Sequence, residues 1–214
     1  MQPPARPSER VRRLSAADVH EHLATVLGPR YREYRAAWAA AGPTAIPPFP
    51  IHLDLELRDN CNQRCVFCPR NTDEHPDLPY PINTSAELDA AALQRLTAEA
   101  AAQGLWSINL GAFAEPLIHK HVFDIVRDFH AAGVVDSRII TNGLLLDRHV
   151  DAVFASGLVQ LFVSIDAHTE ATYARQRGPG HDRVVRNVLD FVAERRRRGA
   201  LLPLVRVSYV VTAE

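Results

Sequence analysis

The chain has 214 residues, of which 47% are apolar and 23% charged, and its formal net charge is −1. A chain of this length can bury a sizeable core, which excludes a small scaffold held together by disulfides. The balanced charge argues against a nucleic-acid or anionic-membrane partner, since both need a basic surface. No apolar run approaches the ~20 residues that span a bilayer, and residues 1–13 lack the apolar stretch of a signal peptide. We therefore expect a soluble, cytoplasmic protein.

The first fifty residues differ in pattern from the rest of the chain. Ser15 followed by Asp18 is typical of a helix start. The Gly28-Pro29 pair predicts a break between two helices. We expect a helical segment over residues 1–42, a stiff Pro-rich linker over residues 43–50, and a separate core over residues 51–214.

From residue 51 onward, strand and helix patterns alternate. Glycines lie just past four of the helical stretches, where a helix-terminating glycine belongs. Four strand–helix–strand crossovers in a row predict an α/β fold with a parallel sheet of about five strands. The predicted strands are Ile51–Leu57, Trp106–Leu110, Arg138–Thr141, Val159–Ile165 and Leu204–Val211, and the predicted helices are Ala86–Gln103, His119–Ala132, Asp147–Ser156 and Asp182–Arg198.

The last predicted strand lies close to the end of the chain. It has no following crossover helix to cover it, and an uncovered β-branched edge strand is a template for aggregation. We therefore expect the core to be incomplete at its C-terminus, with further residues following in the working protein.

All three cysteines lie within eight residues, at positions 61, 65 and 68. A secreted disulfide framework uses an even number of spread cysteines, so this cluster indicates a metal or redox site in a reducing compartment. Three thiolates with C-x3-C-x2-C spacing can hold three corners of a four-iron cluster and leave one iron open. The alternatives are a structural zinc site with His75 or His52 as fourth ligand, and three ordinary buried thiols.

The cysteine motif after the first predicted strand resembles that of the radical S-adenosylmethionine (radical SAM) superfamily, in which an aromatic residue, here Phe67, precedes the third cysteine. The resemblance implies a partial (β/α)6 barrel, a [4Fe-4S] cluster on Cys61, Cys65 and Cys68, and SAM bound to the open iron. It further implies reductive cleavage of SAM to methionine and a 5′-deoxyadenosyl radical that abstracts hydrogen from a substrate.

Three further segments match the superfamily, each at the end of a predicted strand. The run 111–116, with sequence GAFAEP, resembles its glycine-rich G-E-P segment, although alanines replace glycines at positions 112 and 114. The resemblance makes Glu115 the acceptor for the SAM ammonium group. Thr141 and Asn142 match the T-N-G segment near SAM, and Ser164 matches a hydroxyl that binds the SAM carboxylate or ribose.

The stretch 169–178 resembles the SPASM/twitch subgroup, which implies that Arg177 either pairs with the SAM carboxylate or fixes its loop. Asp166, which precedes this stretch, could equally be the N-cap of the short helix that follows it. Ligands bind at the C-terminal ends of parallel strands, so these segments are expected to meet.

The resemblance leaves the substrate and the catalytic residues unknown. It implies a peptide or a sugar-like small molecule as substrate, in an oxidoreductase, epimerase or natural-product-modifying enzyme, and an electron donor of the flavodoxin or ferredoxin type. The alternatives are a non-catalytic protein that binds zinc or a cluster, and a truncated pseudo-enzyme.

Overall fold

The computed structural model describes residues 15–70 and 86–211; His75 and the segment around it lie outside this part of the chain. Two short 3-10 turns, Pro116–Ile118 and Leu146–Arg148, accompany the regular elements. In chain order these are α1 (Ala16–Leu27), α2 (Pro29–Ala40), β1 (His52–Leu55), α3 (Ala90–Gln103), β2 (Ser107–Leu110), α4 (Val122–Ala131), β3 (Asp136–Thr141), α5 (Val150–Ser156), β4 (Gln160–Ser164), α6 (Glu170–Gln176), α7 (His181–Arg197) and β5 (Leu204–Ser208).

The five strands form one parallel sheet in the order β1-β2-β3-β4-β5. Each neighbour follows in sequence, so every crossover runs the same way around the sheet and the helices lie on one face. The sheet is open rather than closed. This confirms the predicted α/β fold with a partial barrel of about five parallel strands.

The two faces of the sheet differ in chemistry because successive side chains of a strand point to opposite sides. The outer face is apolar and belongs to the main core, together with residues of α3, α4, α5 and α7. The inner face is mostly polar. On the outer face, one row of paired residues across the five strands consists of Leu55, Leu110, Ile139, Leu161 and Val205. On the inner face, the row next to it consists of Asp54, Asn109, Arg138, Gln160 and Leu204.

Every predicted strand and helix of the core is present, but the bounds differ by one to four residues at one or both ends, and two of these differences have a clear cause. The third strand begins at Asp136, two residues earlier than expected, because the Gln160 amide of the neighbouring strand donates to the buried Asp136 carboxylate at 2.8 Å and allows a charged group within the sheet. The first core helix begins at Ala90 rather than Ala86, because residues 86–88 pair with residues 57–59, which follow β1. The fifth strand ends at Ser208.

The two N-terminal helices are present and break at Gly28, whose φ is +76°. Ser15 and Asp18 form the reciprocal capping box that the sequence predicted. Side chains of both helices pack with Val159 and with residues that precede the strands, so they cover the end of the sheet opposite the carboxyl ends. Within the described ranges, no helix combines the length and apolar character needed to cross a bilayer.

Candidate functional site

A cavity of about 250 Å³ lies at the carboxyl ends of the strands. Every residue that the sequence predicted to bind a metal or cofactor lines it, although these residues come from five separate parts of the chain. They are Cys61, Cys65, Phe67, Cys68, Glu115, Thr141, Asn142, Ser164 and Arg177.

The three cysteines lie together on one loop that follows β1. Cys65 is buried and the other two are half-buried. Burial raises the pKa of Cys61 and of Cys65 above the ordinary thiol value. A bound metal cation would supply the stabilisation that these buried side chains need in the thiolate form.

The three cysteine sulfurs are not gathered as closely as a single bound zinc ion would hold them. A tetrahedral site with Zn–S bonds of about 2.3 Å holds its sulfurs roughly 3.8 Å apart. Within the described residues, the three sulfurs do not form a group whose atoms all lie within 4.8 Å of one another. A four-iron cluster binds each thiolate through a different iron and accepts the wider spacing.

The alternative in which His52 completes a zinc site is wrong. His52 begins β1, at the opposite end of the strand from the cysteines, and its Nδ1 lies 2.7 Å from the Ser107 hydroxyl. The other proposed histidine, His75, lies outside the described residues.

Gln63, in the middle of the cysteine loop, anchors that loop to the opposite wall of the cavity. Its amide donates to the Tyr173 hydroxyl at 2.8 Å, and its carbonyl accepts from Nε of Arg177 at 3.1 Å. On the other side of the loop, Asn142 donates to the Asn62 side chain at 2.7 Å. The loop is therefore held in place from two directions by side chains of the cavity.

The carboxylate of Glu115 is buried and accepts three hydrogen bonds from the chain. The donors are the Thr141 hydroxyl at 2.7 Å, the backbone amide of Asn142 at 2.8 Å and the backbone amide of Leu117 at 3.1 Å. Burial raises the pKa of Glu115, against the lowering effect of these hydrogen bonds. A carboxylate offers about four acceptor positions, so roughly one remains for a bound ammonium group. The predicted role of Glu115 toward SAM stays a prediction, and its role within the fold is visible.

A second carboxylate, Glu56, organises the loop before Glu115. It accepts from the backbone amides of Ala112 and Phe113, each at 2.6 Å, and of Ala114 at 3.2 Å. The alanines adopt negative φ here, whereas Gly111 has a φ of +80° and a Cβ on it would lie 2.7 Å from Pro116. The loop thus needs glycine at position 111 and tolerates alanine at 112 and 114.

Arg177 is a buried cation at the far wall of the cavity. It forms an ion pair with Asp166, whose other oxygen accepts from the Val210 amide at 2.7 Å. Asp166 therefore does not cap the following helix; Thr169 does. Asp166 adopts a φ of +59°, which an aspartate tolerates better than most residues.

The arrangement fits a cluster and a zwitterionic ligand side by side. Three thiols can hold metal, and the buried Arg177 and the hydroxyl of Ser164 line the same cavity as donors for a carboxylate. Sequence reasoning missed Glu56 and Gln63. Glu56 lay within the predicted first strand, and Gln63 was one of the unspecified positions of the motif, so neither carried a signal of its own.

The sequence profile described as Radical SAM superfamily matches residues 55–204. Curated relatives named GTP 3′,8-cyclase are 32% identical over 117 residues in Heliobacterium modesticaldum and 32% identical over 136 residues in Rhodopirellula baltica. These alignments cover 54% and 62% of this chain, and 34% and 36% of the relatives. The chain thus spans about a third of the length of the curated relatives it matches.

Solved structures agree with the fold. Streptococcus suis SuiB with S-adenosylmethionine bound superposes with a TM-score of 0.61 at 17% identity, covering 86% of this chain and 39% of that one. The anSMEcpe structure with AdoMet and a peptide gives 0.59 at 13% identity, covering 77% and 44%. The superfamily uses a [4Fe-4S] cluster and SAM, which the thiols and the cavity beside them fit. With its sequence match, its open parallel sheet and its three-cysteine loop, the chain belongs to the radical SAM superfamily.

Proposed function

We propose that this chain binds a [4Fe-4S] cluster through Cys61, Cys65 and Cys68 and cleaves SAM reductively to start a hydrogen abstraction. The observation that supports this most is the meeting of all nine predicted site residues at one cavity. The cluster and SAM, when bound, supply a one-electron cleavage of the sulfonium to methionine and a 5′-deoxyadenosyl radical, which takes a hydrogen atom from the substrate.

The chain's own residues position the ligands and shield them. Gln63 and Asn142 hold the cysteine loop, and Glu56 holds the loop over residues 111–114. We assign the SAM carboxylate to Arg177 and Ser164, because both line the cavity that the thiols and Phe67 also line. A flavodoxin- or ferredoxin-type protein is proposed as the one-electron donor.

Two substrate classes are candidates, a nucleotide and a peptide or sugar-like molecule. The curated relatives are named for a cyclisation of GTP, which supports a nucleotide rather than the expected peptide or sugar-like molecule. SuiB, whose structure with its precursor peptide has been solved, shares only 16% identity and supports the fold alone. We therefore propose nucleotides as the first substrates to assay; the SPASM assignment and the enzyme class stay predictions.

The proposal is tested by anaerobic reconstitution with iron and sulfide. The wild-type chain should bind about four irons per chain and form 5′-deoxyadenosine from SAM in the presence of dithionite. Replacement of Cys65 by alanine should abolish both, because the sequence has no spare thiol.

The matched control is Val66→Ala, which changes an exposed residue of the same loop and leaves the three thiols intact. It should retain iron and SAM cleavage. A colourless wild-type protein with one zinc per chain, or a full cluster in the Cys65→Ala variant, would contradict the proposal.

A further inference from the structure

Two arginines flank one aromatic ring on the inner face of the sheet. The guanidinium carbon of Arg138 lies 5.1 Å from the centre of the Phe162 ring, and that of Arg206 lies 4.7 Å from it. The two guanidinium carbons are therefore no more than about 10 Å apart, the sum of these distances. We refer to Arg138, Phe162 and Arg206 as the arginine pair and its ring.

This group lies directly below the cavity that the cysteines line. Ile140 and Ser164 line the cavity, and Arg138 and Phe162 precede them by two residues on the same strands. Residues two apart point to the same face and are separated by roughly 6.6 Å along a strand. Arg206 pairs with Phe162 across β4 and β5. The arginine pair thus faces the interior of the open barrel, one layer beneath the SAM site.

No carboxylate of the described residues contacts either guanidinium group directly. Burial raises the pKa of Asp136, two residues before Arg138 on β3, and the charge of Arg138 opposes that rise. Arg138 donates from Nε to the Asn109 carbonyl at 3.1 Å, and Asn109 donates in turn to Asp54 at 2.7 Å. Within residues 15–70 and 86–211, neither Arg138 nor Arg206 forms an ion pair within 4.0 Å. Asp136, the other carboxylate on this face, accepts hydrogen bonds from the side-chain amide of Gln160 through both of its oxygens.

We propose that the arginine pair binds an oxyanion of the substrate, a phosphate or carboxylate group, and so selects an anionic substrate for the radical reaction. This deepens the proposed function and rests on it. The guanidinium N–H groups that make no hydrogen bond within the described residues form forks that match such oxyanions. Phe162 holds both forks in place through cation–π contacts, which orders the site before the substrate arrives. The bound anion would lie on the inner face, below the SAM cavity.

The test uses equilibrium binding of pyrophosphate and of citrate to the reconstituted, SAM-loaded chain, measured by anaerobic titration calorimetry. The wild-type chain should bind at least one of the two saturably, and more weakly as salt is added. Arg206→Gln removes an exposed cation and should weaken that binding by about tenfold or more. Arg138→Gln is the second variant, with unchanged iron content as the check on folding.

The matched control is Arg183→Gln, which removes a cation from the outer helix α7, where it faces Asp147. It should bind the anions like the wild type. Preference for pyrophosphate assigns a phosphate-bearing substrate, and preference for citrate a carboxylate. Absence of wild-type binding, or equal weakening in Arg183→Gln and Arg206→Gln, would overturn the inference. Anion binding is read separately from SAM cleavage, so a chain that binds the anions and never cleaves SAM contradicts the proposed function alone.

Discussion

The carbonyl of Gln63 accepts a hydrogen bond from Nε of Arg177 at 3.1 Å, across 114 positions of sequence. Arg177 continues the connection through its ion pair with Asp166, and Asp166 accepts from the backbone at Val210. The cysteine loop is thereby joined to the ends of β4 and β5 by buried side chains. Together with the Asn142–Asn62 hydrogen bond on the other side of the loop, this connection helps to fix where the thiols lie.

Replacement of Gln63 by leucine should destabilise the protein and impair cluster binding. The change leaves Nε of Arg177 and the hydroxyl of Tyr173 without a buried partner, at a cost of about 1–3 kcal/mol. Urea unfolding of the cluster-free chain and iron content after reconstitution measure the two effects. Arg64→Leu, at an exposed position of the same loop, is the control, and a Gln63→Leu variant that behaves like it would contradict the prediction.

Replacement of Glu56 by glutamine should weaken SAM binding by about tenfold while the iron content stays unchanged. A carboxylate accepts from all three amides of residues 112–114, whereas a glutamine amide presents its own N–H groups to at least one of them. The loop that borders the cavity would then shift. Equilibrium dialysis with SAM measures the affinity, with Glu99→Gln at an exposed helix position as the control. Equal affinity in the two variants would show that Glu56 does not shape the SAM site.

The sequence predicted the elements and the residues of the cavity because both depend on local patterns. Apolar strands followed by polar motifs identify the carboxyl ends of a parallel sheet, and C-x3-C-x2-C is a spacing with few alternatives. The predicted ends of strands and helices were wrong where tertiary contacts determine them. Asp136 would not be placed in a strand on propensity, but the Gln160 amide satisfies it there.

The connections within the site could not be predicted. Gln63 and Tyr173 lie 110 positions apart, and neither residue type is restricted to one role. The inner position of Arg138 was also hidden, because Ile139 and Ile140 after it identified the strand without showing which face is solvated. Only the register of the sheet places Arg138 and Phe162 in contact.

Replacement of Glu115 by glutamine distinguishes a role in holding the fold together from a role in binding the SAM ammonium group. The carboxylate holds the Thr141 and Asn142 segment, so the variant should lose about 1–3 kcal/mol of stability even without cluster or SAM. For a chain of this size that corresponds to a fall in melting temperature of roughly 2–12 °C. If Glu115 served only the SAM ammonium group, SAM affinity would fall and the melting temperature of the cluster-free chain would stay unchanged.

The last prediction concerns the pH dependence of stability and the half-buried His130. Its Nε2 lies 2.8 Å from the Ser137 hydroxyl, which accepts from the Val159 amide at 3.2 Å. Burial lowers the pKa of His130 below its ordinary value of 6.5. Below pH 6.5 the unfolded chain therefore takes up a proton that the folded chain does not, and stability falls as the pH drops toward the folded pKa. Each unit of pKa difference is worth about 1.4 kcal/mol once the pH lies below both values.

His130→Gln should therefore reduce the loss of melting temperature of the cluster-free chain between about pH 7.5 and pH 5.5. Part of the dependence should remain in the variant, because burial also lowers the pKa of His149, of His119 and of His20. Burial raises the pKa of Glu115 and of Asp136, which acts in the opposite direction in both proteins. His168→Gln, at an exposed position, serves as the control and should keep the wild-type dependence. If both variants follow the wild-type curve, the hydroxyl of Ser137 accommodates a protonated His130, and the burial of the imidazole does not limit stability in acid.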